Sequence, residues 1–259
     1  MIIAALLIIG FILGAIGGGA GLLILPVLVY HQNFSSIEAA PISMSLVGVS
    51  AMITLLSQRT SWKEWWSKDL ITFIGGSLFM IYLTKWLLMY LKTNVLATKE
   101  GVEQLDHFIM LLFIPIIFFS AWHAWPRKSF TQNTTVWNRS KGWGWGMLTG
   151  SLAGIFGAGG GFIIVPVLHQ GAQFPIQKAI GASLLIITIN GTLGGLTPLI
   201  IGHQLNITIF IWMIWMAAGA ITGRVWSKNQ TPEVLKKSLA IFLSVVATAI
   251  FVKEINHLL

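Results

Sequence analysis

Apolar residues in this chain fall in runs long enough to cross a lipid bilayer. Ile42–Leu56, Leu70–Leu91, Phe108–Trp125, Ala179–Ile201, Ile207–Ile221 and Leu239–Val252 are nearly free of charge, and a spanning helix needs about 20 such residues. Charged residues make up 9% of the chain, against roughly 25% in a soluble domain. Too few polar groups remain to cover a soluble surface, so the expected class is an all-α membrane protein.

The formal charge of +8 sits mostly in short segments between apolar runs. That is a membrane-orientation signal. No basic stripe lies on a soluble module, so nucleic acid is not an expected partner. The absence of cysteine excludes disulfides, thiolate metal sites and thiol chemistry. Met1-Ile-Ile-Ala-Ala-Leu-Leu has no basic n-region, so it reads as the start of a membrane segment and not as a cleaved signal.

One motif occurs twice. Gly10–Ser43 (GFILGAIGGGAGLLILPVLVYHQNFSSIEAAPIS) aligns without a gap to Gly150–Ser183 (GSLAGIFGAGGGFIIVPVLHQGAQFPIQKAIGAS). Gly10, Gly14, Gly17, Gly19, Gly21, Ile24, Pro26, Val27, Leu28, Phe34, Ala39 and Ser43 match Gly150, Gly154, Gly157, Gly159, Gly161, Ile164, Pro166, Val167, Leu168, Phe174, Ala179 and Ser183. Gly, Pro, Phe, Ala and Ser recurring in one fixed register point to a duplication. The first membrane repeat is then 1–125 and the second 142–259, joined by a polar linker, 126–141, expected in the cytoplasm. In the first, a broken segment over 2–31 precedes spans over 41–58, 69–91 and 107–125. In the second, a broken segment over 143–170 precedes spans over 178–201, 206–223 and 235–253. Trp122, Trp143, Trp145, Trp212 and Trp226 lie near span ends, where indoles favour the interface.

Gly17-Gly18-Gly19-Ala20-Gly21 and Gly157-Ala158-Gly159-Gly160-Gly161 break the helix. Each glycine costs about 1 kcal/mol relative to alanine inside a helix. Backbone groups freed in hydrocarbon must be satisfied by protein or water, so each break is expected to line an interior cavity. A half-helix follows, Leu22–Tyr30 or Phe162–Gln170, with a partial positive charge at its N-terminus. Pro26 and Pro166 are structural, placed near that end where a missing N–H does least harm. Gly10/Gly14 and Gly150/Gly154 have small-xxx-small spacing and read as helix-packing positions. Replacing Gly10 by alanine is expected to be mild beside a change within the break.

If each broken segment crosses fully, the chain has eight spans in parallel repeats. If each is a re-entrant hairpin, each repeat has three transmembrane helices and the repeats are inverted. The second reading gathers Arg59, Lys63, Lys68, Arg127, Lys128, Arg139, Lys141, Lys178, Arg224, Lys228, Lys236 and Lys237 on one side. It leaves Lys85, Lys92, Lys99 and Lys253 on the other. The positive-inside tendency favours it, with both termini outside. Inverted repeats are a known transporter plan.

The apolar runs hold almost no acid, which suits an anion path. They do hold Ser43, Ser45, Ser50 and Thr54 after the first motif, and Ser183, Thr188, Asn190 and Thr192 after the second. Most such hydroxyls back-bond to their own helix. Ser43 and Ser183 recur in the motif, and the Asn190 amide needs a partner away from water. The expected substrate-binding set is Gly17, Gly18, Gly19, Gly21, Ser43, Gly157, Gly159, Gly160, Gly161, Ser183 and Asn190, with the two breaks facing each other near the midplane. Lys178, His123, His169 and His203 read as interfacial. No H-E-x-x-H, G-x-S-x-G or P-loop pattern occurs, so no catalytic residue, metal or cofactor is expected.

The doubled G-x-x-x-G-x-x-G-x-G-G-x(4)-P-x-L pattern, with its downstream alanine and serine, resembles the TauE/SafE sulfite-exporter family of bacterial membrane permeases. The first copy departs at Ala20, where the second has Gly160. The resemblance covers nearly the whole chain. It implies a permease of the bacterial inner (plasma) membrane for a small sulfur-containing anion such as sulfite, a sulfonate or sulfoacetate. Partners are then a small inorganic or organosulfur anion and the lipid bilayer, with homo-oligomerisation left open. The alternatives are an anion channel, or a membrane assembly or enzyme component without transport.

Overall fold

The computed structural model describes residues 2–17, 19–32, 34–57, 68–94, 98–125, 139–157, 160–172, 174, 176–195, 207–227 and 229–258. Every regular element among them is helical. In chain order these are α1 (Ile2–Ile16), a 3-10 turn (Gly19–Leu23), α2 (Ile24–Gln32), α3 (Ser36–Leu56), α4 (Lys68–Asn94) and α5 (Lys99–Ala124). Then come α6 (Arg139–Phe156), α7 (Gly161–Pro166), a π turn (Val167–Gly171), α8 (Ile176–Gly195), α9 (Ile207–Ser227) and α10 (Pro232–Leu258). Among the described residues, five helices are long and apolar enough to cross a bilayer, over Ser36–Leu56, Leu70–Asn94, Gly101–Trp122, Lys178–Gly195 and Ile207–Ser227.

α3 and α5 begin furthest ahead of the apolar pattern, and each has a polar partner at its first turn. The Thr98 side chain accepts the Gly101 N–H at 3.2 Å, starting α5 ahead of its apolar run. Asp106 Oδ1, on α5, accepts the Ser36 N–H at 2.8 Å. That bond satisfies an orphan donor at the start of α3, and the helix runs on through Pro41.

Helices pair across the two halves of the sequence. α1 packs along α9, α6 along α4, α3 crosses α8, and α5 runs along α10. Lipid tails are as apolar as leucine, so close backbone contact and dispersion hold such pairs together. A Cβ added at Gly10 would overlap the Met216 carbonyl oxygen, and one at Gly14 the Ala220 carbonyl oxygen. Gly219 and Gly223 face the Leu7 and Phe11 carbonyls in return. Gly146 and Gly150 abut Phe73 and Ser77 in the same way. The packing reading of these glycines holds, but alanine at Gly10 is not mild, because the backbones leave no room for a methyl group.

The outer surface is apolar. Trp86, Phe119, Trp122 and Ile214 are exposed, the reverse of a soluble protein. Trp212, expected at the interface, is buried. Lys85, grouped with the outer charges by its sequence, is instead inside α4 and only 8% exposed.

Candidate functional site

Both helices that lead into a glycine run stop at the same motif position. α1 ends at Gly17, whose N–H bonds the Leu13 carbonyl at 2.8 Å with φ +83°. α6 ends at Gly157, whose N–H bonds the Ala153 carbonyl at 2.8 Å with φ +64°. This is the left-handed C-cap that glycine adopts without penalty. Each cap packs on the first turns of the crossing helix that follows the other motif. A Cβ at Gly17 would come 2.5 Å from Ile180 Cγ2, and one at Gly157 would overlap the Ala40 carbonyl oxygen.

Gly19 and Gly21 lie in the 3-10 turn, Gly160 precedes α7 at φ +76°, and Gly161 opens α7. Gly18 and Gly159 lie outside the described residues. Pro26 is in the first turn of α2. Pro166 closes α7, where the winding changes to a π turn. Both half-helices end alike: the Phe34 N–H reaches the Leu28 carbonyl at 3.4 Å, and the Phe174 N–H reaches the Leu168 carbonyl at 3.0 Å. His169, read as interfacial, has Nδ1 at 2.8 Å from the Phe174 carbonyl oxygen at that turn. Lys178 Nζ sits 4.7 Å from the centre of the Phe174 ring. The side chain of His123, and His203 altogether, lie outside the described residues.

The helix ends that open the two breaks, at Gly17 and Gly157, lie on opposite sides of the central helix crossing. α3 and α8 cross antiparallel, with Gly48 against Gly191 and the Ser45 hydroxyl donating to the Gly195 carbonyl at 3.0 Å. Ser43 and Ser183 fall on opposite sides of this crossing. At about 1.5 Å per residue they are roughly 20 Å apart along the bundle. The Gly17 break sits at the Ser183 end and the Gly157 break at the Ser43 end. Between these ends the two breaks meet, the 3-10 turn carrying Gly19 and Gly21 against α7, which opens at Gly161.

Asn190 and Ser50 occupy the crossing. Both are fully buried, as are Ser43 and Ser183. Asn190 Oδ1 accepts the Ser77 hydroxyl of α4 at 3.0 Å. Ser183 donates to the Gly17 carbonyl at 2.6 Å. Asn190 Nδ2, Ser50 Oγ and Ser43 Oγ have no hydrogen-bond partner among the described residues. An unsatisfied buried donor costs about 1–3 kcal/mol. Thr54, Thr188 and Thr192 back-bond to the carbonyls of Ser50, Leu184 and Thr188, as expected of ordinary helix hydroxyls.

Sequence reasoning missed the contribution of α4. Ser77 holds Asn190, Tyr82 donates to the Leu193 carbonyl at 2.9 Å, and Lys85 donates to the Gly194 carbonyl. With Ser45, Tyr82 and Lys85 satisfy carbonyls in the last turn of α8. The available signal was a lysine within an apolar run, since an intramembrane charge is a functional pointer by default.

A lipid-facing helical bundle with glycine-capped breaks and neutral polar groups at its central crossing defines a multi-pass membrane protein. The chain belongs to the sulfite exporter TauE/SafE family, whose model matches residues 2–250, and that family comprises membrane transporters. It is 30% identical over 220 residues to a probable membrane transporter protein of Xylella fastidiosa (strain 9a5c), covering 83% of this chain and 78% of that one. A second Xylella fastidiosa protein of that description (strain Temecula1) is 28% identical over 249 residues, covering 95% and 91%. The probable membrane transporter protein YunE of Bacillus subtilis is 23% identical over 246 residues, covering 85% and 84%. No solved structure matches the chain.

Proposed function

We propose that the chain is a secondary transporter that moves a small sulfur-containing anion, such as sulfite, a sulfonate or sulfoacetate, across the bacterial inner membrane. The observation that carries this reading is the set of unpartnered buried groups at Asn190, Ser50 and Ser43. Neutral donors can hold an oxyanion, and they release it more readily than a fixed guanidinium would. The hydrogen bonds around them come from Ser77, Thr54 and Lys85, with no carboxylate among them to repel an anion. The sulfite in the family description supports the choice of sulfur oxyanions.

In this reading the repeats are inverted and each glycine-broken segment is a hairpin. Three observations support it. The pairing of α1 with α9 is matched by that of α6 with α4. The contact of Gly17 with Ile180 is matched by that of Gly157 with Ala40 at the same motif positions. The end of α1 shares a cavity with Ser238 and Phe242 near the start of α10, whereas Tyr30, late in α2, reaches Glu254 near the end of α10. The chain therefore turns back on itself between residues 16 and 30.

Thermal-shift screening of the purified protein against sulfite, sulfate, thiosulfate, taurine, sulfoacetate and simple carboxylates tests the substrate class. Stabilisation by sulfur oxyanions and not by carboxylates is expected. A response to carboxylates alone would overturn the assignment.

A further inference from the structure

Glu254 is 1% exposed. Its Oε1 accepts the hydroxyl of Tyr30 from α2, and its Oε2 is 3.0 Å from His107 Nδ1 of α5. Lys253 Nζ lies 4.0 Å from the centre of the Tyr30 ring. A carboxylate is kept out of water only where partners compensate it. These partners come from three elements, one of them the half-helix that follows the first glycine break.

The neighbouring acids have other tasks. Asp106 caps α3 through the Ser36 N–H at 2.8 Å, and Glu38 pairs with Lys92 at 3.0 Å. Among the described residues, α1 and the 3-10 turn carry no titratable side chain towards α10. α2 offers Tyr30, with His31 exposed, and α5 offers His107, with Glu103 exposed one turn earlier. His107 is itself 45% exposed in its side chain, which gives the buried carboxylate a route to water.

We infer that Glu254, served by His107 and latched by Tyr30, is a proton-binding site that couples anion movement to proton movement. This rests on the transporter reading above. The ionised carboxylate accepts from both Tyr30 and His107 and holds the end of α2 against α5 and α10. To load the site, the outer ring nitrogen of His107 takes a proton from water as Nδ1 passes its own to Oε2. The imidazole stays neutral, and one proton is gained at Glu254. The new hydroxyl on Oε2 donates back to Nδ1 while Oε1 still accepts from Tyr30, so the site loads its proton with the latch intact and one bond reversed. Protonation also removes a buried negative charge, so the state that admits an anion is the protonated one. Proton and anion travel together as a symport.

Infrared difference spectra of the ligand-free protein, taken across a pH titration, test the proton site without any substrate. A protonated-carboxyl band that appears on acidification in wild type and is absent in Glu254→Gln is expected, and it should shift in Tyr30→Phe. The same band surviving in Glu254→Gln would overturn the site. Coupling is read separately in proteoliposomes with labelled sulfoacetate and the membrane potential clamped at zero. Wild type and a Glu38→Gln control should accumulate anion about tenfold per pH unit of acid-outside gradient, the ratio set by one coupled proton. Glu254→Gln should lose that accumulation, and Glu254→Asp should recover part of it. Accumulation by Glu254→Gln equal to wild type would overturn coupling. Failure of every sulfur anion to exchange would defeat the transporter reading, while the infrared titration would still decide the proton site.

Discussion

The Ser183 hydroxyl donates to the Gly17 carbonyl at 2.6 Å, joining positions 166 residues apart in sequence. Its motif counterpart, Ser43, is equally buried but has no partner among the described residues. One copy of the motif is therefore latched and the other is open. Ser183→Ala is expected to lower stability by about 1 kcal/mol, the worth of an ordinary hydrogen bond. Ser43→Ala, which removes a buried hydroxyl that has no partner among the described residues, should be neutral or stabilising. Thermal melts in detergent give the comparison, and equal losses would mean that the two ends are alike.

The glycine caps should tolerate no side chain. At Gly17 and Gly157 an L-residue meets the left-handed penalty of about 1–2 kcal/mol together with a steric overlap. Gly17→Ala and Gly157→Ala should both melt well below wild type. Gly144→Ala is the control. A Cβ there meets nothing within 4 Å, and alanine in a helix should add about 0.5–1 kcal/mol. A stable Gly17→Ala protein would place the helix end elsewhere.

Gly10→Ala tests the α1–α9 contact. The added carbon overlaps the Met216 carbonyl oxygen, so the helices must separate along their length, and loss of folded protein on size exclusion is expected. A normal profile would show that α1 can shift without harm.

Class, glycine breaks and recurring serines were all legible in the sequence, because each is written in local composition. Gly17 and Gly157 cap their helices as a run of glycines suggests. What was not legible depends on partners far along the chain. The Gly48–Gly191 contact sets where α3 and α8 cross, and neither residue belongs to the repeated motif. That crossing keeps the Gly17 and Gly157 caps apart and puts Asn190 at the centre. Lys85 looked like an outer charge because nothing local announces that its amino group reaches the Gly194 carbonyl. Glu254 follows its apolar run by two residues and looks like an interfacial acid. Its burial depends on Tyr30 and His107, which are 224 and 147 positions away.

The hairpin arrangement predicts which positions share a side. The chain contains no cysteine, so single cysteines can be introduced at Gln32, Thr98 and Gln230. An impermeant maleimide added to intact cells should label Gln32→Cys and Thr98→Cys, and should label Gln230→Cys only after permeabilisation. Labelling of Gln32→Cys and Thr98→Cys from opposite sides would exclude the hairpin.

The most direct test of the central claim is counterflow of labelled sulfite in proteoliposomes, comparing wild type with Asn190→Ala. Uptake by wild type should saturate and should accelerate when unlabelled sulfite is inside. Asn190→Ala should raise the half-saturating concentration about tenfold or more, as loss of a hydrogen bond to a charged group implies. Flux that rises linearly without trans-acceleration, or an Asn190→Ala protein with wild-type half-saturation, would contradict a carrier whose anion site lies at the α3–α8 crossing.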